Sequence, residues 1–226
     1  MRILVVAATA PEVAPLVSIL AADARSPSRL TAFRRGPHDI DVLTTGVGMV
    51  ATATWCSRTL MTGDYDLALN VGVCGAFDRT LALGTVVHVT TDRFAELGAE
   101  DGDAFLTMSD LGLLDANEFP FTAGTLVNAA PPGSSVLKSL RSVGSITVST
   151  VHGNEESIAR AVERFAPQVE SMEGAAFMYA CLVHGLPFAQ VRSVSNAVER
   201  RNRAAWKLPE AVRALNAAAV EIIDTL

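Results

Sequence analysis

The sequence predicts an α/β fold, with one domain over residues 1–226 in which helices cover both faces of a mainly parallel or mixed sheet. Three observations lead there. Short β-branched, apolar segments alternate with segments of helical periodicity along the chain. No Pro-, Gly- or Ser-rich linker divides the 226 residues. Half of the residues are hydrophobic and only 19% are charged, so a sizeable core is available without disulfide or metal staples.

Residues 2–8 read as a strand, and residues 11–22 as a helix with Val13, Leu16, Val17 and Leu20 on one face. A strand at 40–45 runs into Thr45-Gly46-Val47-Gly48, and a helix over 49–62 stops at Gly63. Strands are predicted at 66–73 and 85–91. Residues 95–132, with Gly98, Gly102, Gly112, Pro120, Gly124, Pro131 and Pro132, read as loops and short pieces passing over the surface. Regular structure returns with a helix near 134–141, a strand near 144–151 and a helix near 154–164. A strand near 168–172 feeds a helix near 173–184. The chain closes with a strand at 188–195 and an amphipathic helix at 209–225.

Composition excludes several classes. A formal net charge of −6 opposes general nucleic-acid binding, and the short cluster Arg200, Arg201, Arg203 does not reverse that. No apolar run approaches the roughly 18 residues that span a bilayer, and the first apolar strand meets Pro11-Glu12 too soon for a signal peptide. The expected setting is the cytoplasm. Cys56, Cys74 and Cys181 lack metal-type spacing and read as buried thiols in a reducing compartment. The four histidines, His38, His88, His152 and His184, are scattered, so no metal site is expected.

In such sheets, ligands gather where strands end and loops begin. Gly46-Val47-Gly48-Met49-Val50-Ala51 fits a dinucleotide fingerprint, but Asp66 lies at the wrong end of its strand and the first strand carries no glycine. A tight strand-to-helix turn is the better reading. Gly72-Val73-Cys74-Gly75-Ala76 is a second Gly-rich strand exit, where backbone can approach a ligand closely. Cys74 has no local His or Asp partner, so it is not read as a nucleophile. In Glu170-Ser171-Met172-Glu173-Gly174-Ala175-Ala176, two acids stand where a strand becomes a small-residue helix. Glu170 reads as a solvated strand end. Glu173 has room beside it, and a carboxylate there can accept two hydrogen bonds from neighbouring sugar hydroxyls. Asn196 ends a strand before the arginine cluster.

Taken in this order, Thr45-Gly46-Val47-Gly48, Asn70-Val71-Gly72-Val73-Cys74-Gly75-Ala76, Met172-Glu173-Gly174-Ala175 and Arg192-Ser193-Val194-Ser195-Asn196 resemble the nucleoside phosphorylase and nucleosidase superfamily over nearly the whole chain. The resemblance implies a single-domain αβα sandwich around a mixed, partly closed sheet, assembled as a homodimer or larger homo-oligomer. It implies a purine nucleoside as the small-molecule partner, with no nucleic acid, membrane or cofactor. In the hexameric phosphorylases the strand matching 70–76 carries an Arg and a Ser that hold phosphate; here Asn70 and Val73 stand in those places. The nucleosidase branch carries a Glu after the first strand that activates water, and Glu12 occupies that place.

The resemblance thus implies catalytic roles for Glu12, Glu173 and Asn196, and substrate contacts from Gly72, Val73, Cys74, Gly75 and Met172. Nucleosidases for 5′-methylthioadenosine and S-adenosylhomocysteine carry Asp where this chain has Asn196. An amide cannot protonate adenine but can hydrogen-bond a 6-oxopurine. The stretches 170–176 and 191–196, with Val198-Glu199-Arg200-Arg201-Asn202 and Trp206, are similar to the futalosine hydrolase family, whose members act in menaquinone biosynthesis. That likeness implies release of hypoxanthine from a nucleoside with a carboxylate-bearing 5′ extension, for which Arg201, Asn202, Arg203 and Trp206 are candidate contacts. The alternatives are a methylthioadenosine-type nucleosidase, a phosphorylase with its phosphate ligands elsewhere, and a catalytically silent nucleoside-binding protein.

Overall fold

The computed structural model describes residues 1–20 and 29–226. Residues 21–22, placed by the sequence in the first helix, lie outside the described residues. Strand β1 (Arg2–Ala7) is central, and its alternation sorts the core into two layers. Ile3, Val5 and Ala7 pack with helices α1 (Ala10–Leu20) and α6 (Leu208–Asp224), whereas Leu4 and Val6 face α2 (Met49–Thr62) and α5 (Gly174–His184). Successive side chains of a strand point to opposite faces, so one five-residue apolar run serves both layers. The three-layer expectation holds.

Among the described residues the main sheet has ten strands, in the order β2-β3-β1-β4-β11-β10-β5-β9-β8, with β12 pairing both β4 and β5. Here β2 is Leu30–Arg35, β3 His38–Thr44, β4 Leu67–Ala76, β5 Val86–Asp92, β8 Phe121–Thr122, β9 Thr125–Val127, β10 Arg141–Thr147, β11 Val169–Ser171 and β12 Phe188–Ala197. Because β12 bridges β4 and β5, the strands β4-β11-β10-β5-β12 close into a ring, the partly closed sheet expected from the family likeness. A small hairpin, β6 (Gly98–Asp101) with β7 (Ala104–Thr107), stands apart. Helices α3 (Ser135–Ser139) and α4 (Glu155–Phe165) and a 3-10 turn at Arg203–Ala205 complete the elements among the described residues.

Several expectations are corrected. The glycine motif lies inside β4, which runs on to Ala76. Its parallel ladder with β12 and its antiparallel pairing with β11 through Gly75 override the weak strand preference of glycine. Strand β2 escapes notice because it pairs with β3 at the edge of the sheet and alternates exposed and half-buried residues. Helix α3 is shorter than 134–141, and β10 starts at Arg141 because its ladder with β5 passes through Gly144 by a register shift. Residues 95–132 are not wholly superficial: β9 pairs with β5 and Leu126 is fully buried.

Candidate active site

Glu12 stands in the first turn of α1, immediately after β1, where a carboxylate is favoured by the helix dipole. Thr9 fixes one oxygen, donating to Oε2 from its backbone N–H (2.9 Å) and its hydroxyl (2.8 Å). The other oxygen reaches across to β4 and accepts from the Val73 N–H at 3.1 Å. Asn216 of α6 inserts into the helix just beyond, accepting from Leu16 N–H (2.9 Å) and donating to the Glu12 carbonyl (2.8 Å). It thereby satisfies the two groups that would otherwise pair with each other, and ties the backbone of Glu12 to the last helix.

Arg192 lies on β12 directly opposite Gly72 of β4 and is only 1% exposed. Its guanidinium donates to Asn70 Oδ1 at 2.5 Å, while Asn70 Nδ2 donates to the Val6 carbonyl at 2.9 Å. Glycine at 72 is a matter of space. A Cβ there would overlap Arg192 Nη1 and lie 3.1 Å from Glu12 Oε1, so the missing side chain leaves room for the cation and the acid over the strand. Among the described residues Arg192 Nε has no hydrogen-bond partner despite its burial.

Glu173 closes the group. It leads into α5, is 8% exposed, and accepts from the Gly48 N–H at 3.0 Å. Gly48 caps α2 with φ +95°, a conformation glycine adopts readily, and Glu173 accepts from the N–H of this N-cap residue rather than from the first turn of the helix. Burial pushes the Glu173 carboxyl above its ordinary value, with the Glu12 charge adding to the rise, while Arg192 and the Gly48 N–H oppose it. Two acids and one buried cation therefore act on one another from β1–α1, β11–α5 and β12.

Further along β4, a cavity of about 200 Å³ opens against Gly75, Val151, His152, Glu170, Asn196 and Trp206, with Arg201 at its wall. Asn196 Oδ1 accepts from Ser195 Oγ (2.8 Å) and Nδ2 donates to the Ala197 carbonyl (2.9 Å), leaving one N–H uncommitted. Arg201 stacks over the Trp206 ring at 5.2 Å from its centroid. Glu170 is 3% exposed, which corrects the solvated strand end that the sequence suggests. It accepts from the His152 N–H at 3.1 Å and lies 2.6 Å from His152 Nδ1.

The structure thus gathers Glu12, Glu173, Gly72 and Val73 at one centre. Asn196, Gly75, Arg201 and Trp206 lie around the adjoining cavity, and half-buried Met172 precedes Glu173 in the chain. It does not bring Cys74 there: that side chain packs with Val87, Val89 and Val194, and burial pushes its thiol up to about 12. Asn202 lines a separate, open depression with Arg79, Glu155 and Arg200, and the side chain of Arg203 is exposed. The residues that sequence reasoning misses are Arg192, Glu170, His152 and Asn216. Of these, only Arg192 and Glu170 fall within motifs the sequence singles out. Among the described residues no cluster could hold a metal ion, and no helix is long and apolar enough to cross a membrane.

Comparison with known proteins follows the same lines. Residues 2–224 match the phosphorylase superfamily. Futalosine hydrolase of Streptomyces coelicolor is 34% identical over 86% of this chain and 83% of its own length. The Thermus thermophilus futalosine hydrolase is 32% identical over 76% of each chain. A 5′-methylthioadenosine/S-adenosylhomocysteine nucleosidase of Colwellia psychrerythraea is 31% identical over 85% of this chain and 82% of its own length. Among solved structures, futalosine hydrolase of Helicobacter pylori superposes with a TM-score of 0.82 at 16% identity, covering 100% of this chain and 98% of that one, a likeness of fold.

Proposed function

The chain belongs to the phosphorylase superfamily, and from that premise we propose that it is a nucleosidase. It hydrolyses the N-glycosidic bond of futalosine, releasing hypoxanthine and leaving dehypoxanthine futalosine, a step of menaquinone biosynthesis. The observation that carries this reading is the centre formed by Glu12, Arg192 and Glu173. A carboxylate whose oxygens are both held by donors is aimed beside a second acid, with Asn70 committed to Arg192 where the hexameric phosphorylases hold phosphate with an arginine. The names of the Streptomyces and Thermus relatives support the substrate.

Glu12 takes a proton from a water below the anomeric carbon as that water's oxygen bonds to it. The bond to the purine nitrogen breaks through an oxocarbenium-like state, its electron pair leaving with the base, which takes a proton from solvent to become hypoxanthine as Glu12 returns its own proton to water. Glu173 accepts hydrogen bonds from the ribose hydroxyls, and its charge favours the developing cation. Met172 packs on the sugar face. The backbone of Gly72, Val73, Cys74 and Gly75 lies close to the substrate, Asn196 donates to the purine, and Arg201 with Trp206 meets the carboxylate-bearing extension. No metal or organic cofactor enters these steps.

The second reading, a methylthioadenosine-type nucleosidase, is favoured by the Colwellia relative and opposed by Asn196, which cannot protonate adenine. Exposed Val50, Met61, Tyr179 and Val183 on the packed pair α2 and α5 suit a homo-oligomeric contact, and the setting we propose is cytoplasmic. Base release from futalosine, inosine and methylthioadenosine tests the function. The proposal expects futalosine to be the best substrate by kcat/KM. Preference for methylthioadenosine would favour the second reading, and turnover of none would sink both.

A further inference from the structure

Resting on the nucleosidase reading above, we propose that Glu170 determines base specificity by accepting a hydrogen bond from N1–H of a 6-oxopurine. Glu170 is buried and lines the same cavity as Asn196. Nothing in the proposed sugar chemistry uses it. A carboxylate removed from water is costly unless hydrogen bonds or a partner repay the lost hydration. Here the side-chain partner is His152, which engages one oxygen through its backbone N–H and the other through its ring. An ionised carboxylate offers about four acceptor sites, so two remain for a ligand.

The placement fits one edge of one base. A point one bond above Gly75 lies 3.0 Å from Val198 Cγ2, 3.3 Å from Asn196 Nδ2 and 3.5 Å from Glu170 Cγ, so Asn196 and Glu170 stand side by side over this glycine, at the wall of the cavity they share. A 6-oxopurine presents a carbonyl oxygen next to N1–H, an acceptor beside a donor. The remaining Asn196 N–H meets the first and the Glu170 carboxylate meets the second. A 6-aminopurine presents the reverse pattern, with an N1 lone pair facing the carboxylate. The pair therefore accepts one base and repels the other, and His152 holds the carboxylate at the angle this needs. Phe77 packs edge-on against the His152 ring, with centroids 5.8 Å apart, and limits its movement.

Wild type and Glu170→Gln are assayed on futalosine and on its 6-amino counterpart. Glutamine keeps the length and one acceptor oxygen but can turn an N–H toward an unprotonated N1. The expected result is a fall in kcat/KM for the 6-oxo substrate of roughly 10- to 100-fold, the effect of one charge-assisted hydrogen bond, with a much smaller fall or a gain for the 6-amino substrate. A purely structural role would lower both alike, so an unchanged ratio between them overturns the inference while leaving the nucleosidase reading intact. A wild type inert on both substrates overturns that reading and this one together. The wild type alone gives a second readout: hypoxanthine is expected to inhibit at least about tenfold more tightly than 1-methylhypoxanthine. Equal inhibition by the two bases overturns the assignment.

Discussion

The centre around Arg192 and the cavity around Glu170 both bury carboxylates, but they hold them by different means. Glu12 and Glu173 are fixed largely by main-chain N–H groups, from Thr9, Val73 and Gly48, and the charge of buried Arg192 acts on Glu173. Glu170 is held, among the described residues, by His152, through one main-chain N–H and one side-chain ring nitrogen. Main-chain donors are set by the fold and do not adjust, which suits groups that must be in place when charge develops at a sugar. Side-chain partners in a cavity wall can differ without disturbing the sheet, which suits recognition of one base over another. The fixed part of the site makes the chemistry, and the adjustable part selects the substrate.

Breaking the fixed part has the largest expected effect. Glu12→Gln keeps the hydrogen bonds to Oε1 and Oε2 in part but loses the base, and hypoxanthine release should fall roughly 10²- to 10⁴-fold with unfolding temperature unchanged. Glu173→Gln should lower kcat/KM roughly 10²-fold, because the charge facing the developing cation is gone. Steady-state rates measured beside circular dichroism check both variants. On the adjustable side, Asn196→Asp should change selectivity more than rate, moving the ratio of 6-amino to 6-oxo turnover about tenfold toward the amino base. An unmoved ratio would remove Asn196 from base recognition.

The smallest effect concerns what stands behind Glu173. Asp92 is fully buried beneath the start of α5, accepting from Thr147 Oγ1 and Gln190 Nε2 at 3.0 Å each, and Thr147 Oγ1 accepts from the Ala175 N–H at 2.8 Å. Burial pushes the Asp92 carboxyl up to about 6, against these hydrogen bonds. A carboxyl raised in the folded state contributes its stability in full below its unfolded value near 4 and loses it as pH rises through about 6. Asp92→Asn should therefore gain stability relative to wild type above pH 6, on the order of 2 kcal/mol, with no such gain below pH 4. Gln190 Oε1, which has no hydrogen-bond partner among the described residues, can turn to accept from the new amide. Denaturant midpoints at the two pH values check this, and a gain that does not depend on pH would contradict the assignment.

Local chemistry made much of this legible. The strand and helix periods located β1, α2, α5 and α6, and the small residues after Glu173 marked it as a functional acid. What stayed hidden depends on register. Arg192 acquires its meaning from Gly72 and Asn70, which meet it only once β12 lies parallel to β4 in one alignment. Asn216 reaches Glu12 from 204 positions away. Glu170 looked solvated because its strand ends in the sequence at a point where, in the ring, His152 folds back over it. The family likeness implies a ligand contact at Cys74, whereas inside β4 its side chain is buried in an apolar cluster with Val87, Val89 and Val194.

The claim at the centre of this account is that water, activated by Glu12, is the nucleophile. Hypoxanthine release from futalosine should be measured in buffer free of phosphate and again with phosphate in excess, with the sugar product identified by mass. Equal rates and a free dehypoxanthine sugar are predicted in both buffers. Dependence on phosphate, with a sugar 1-phosphate as the product, would contradict it.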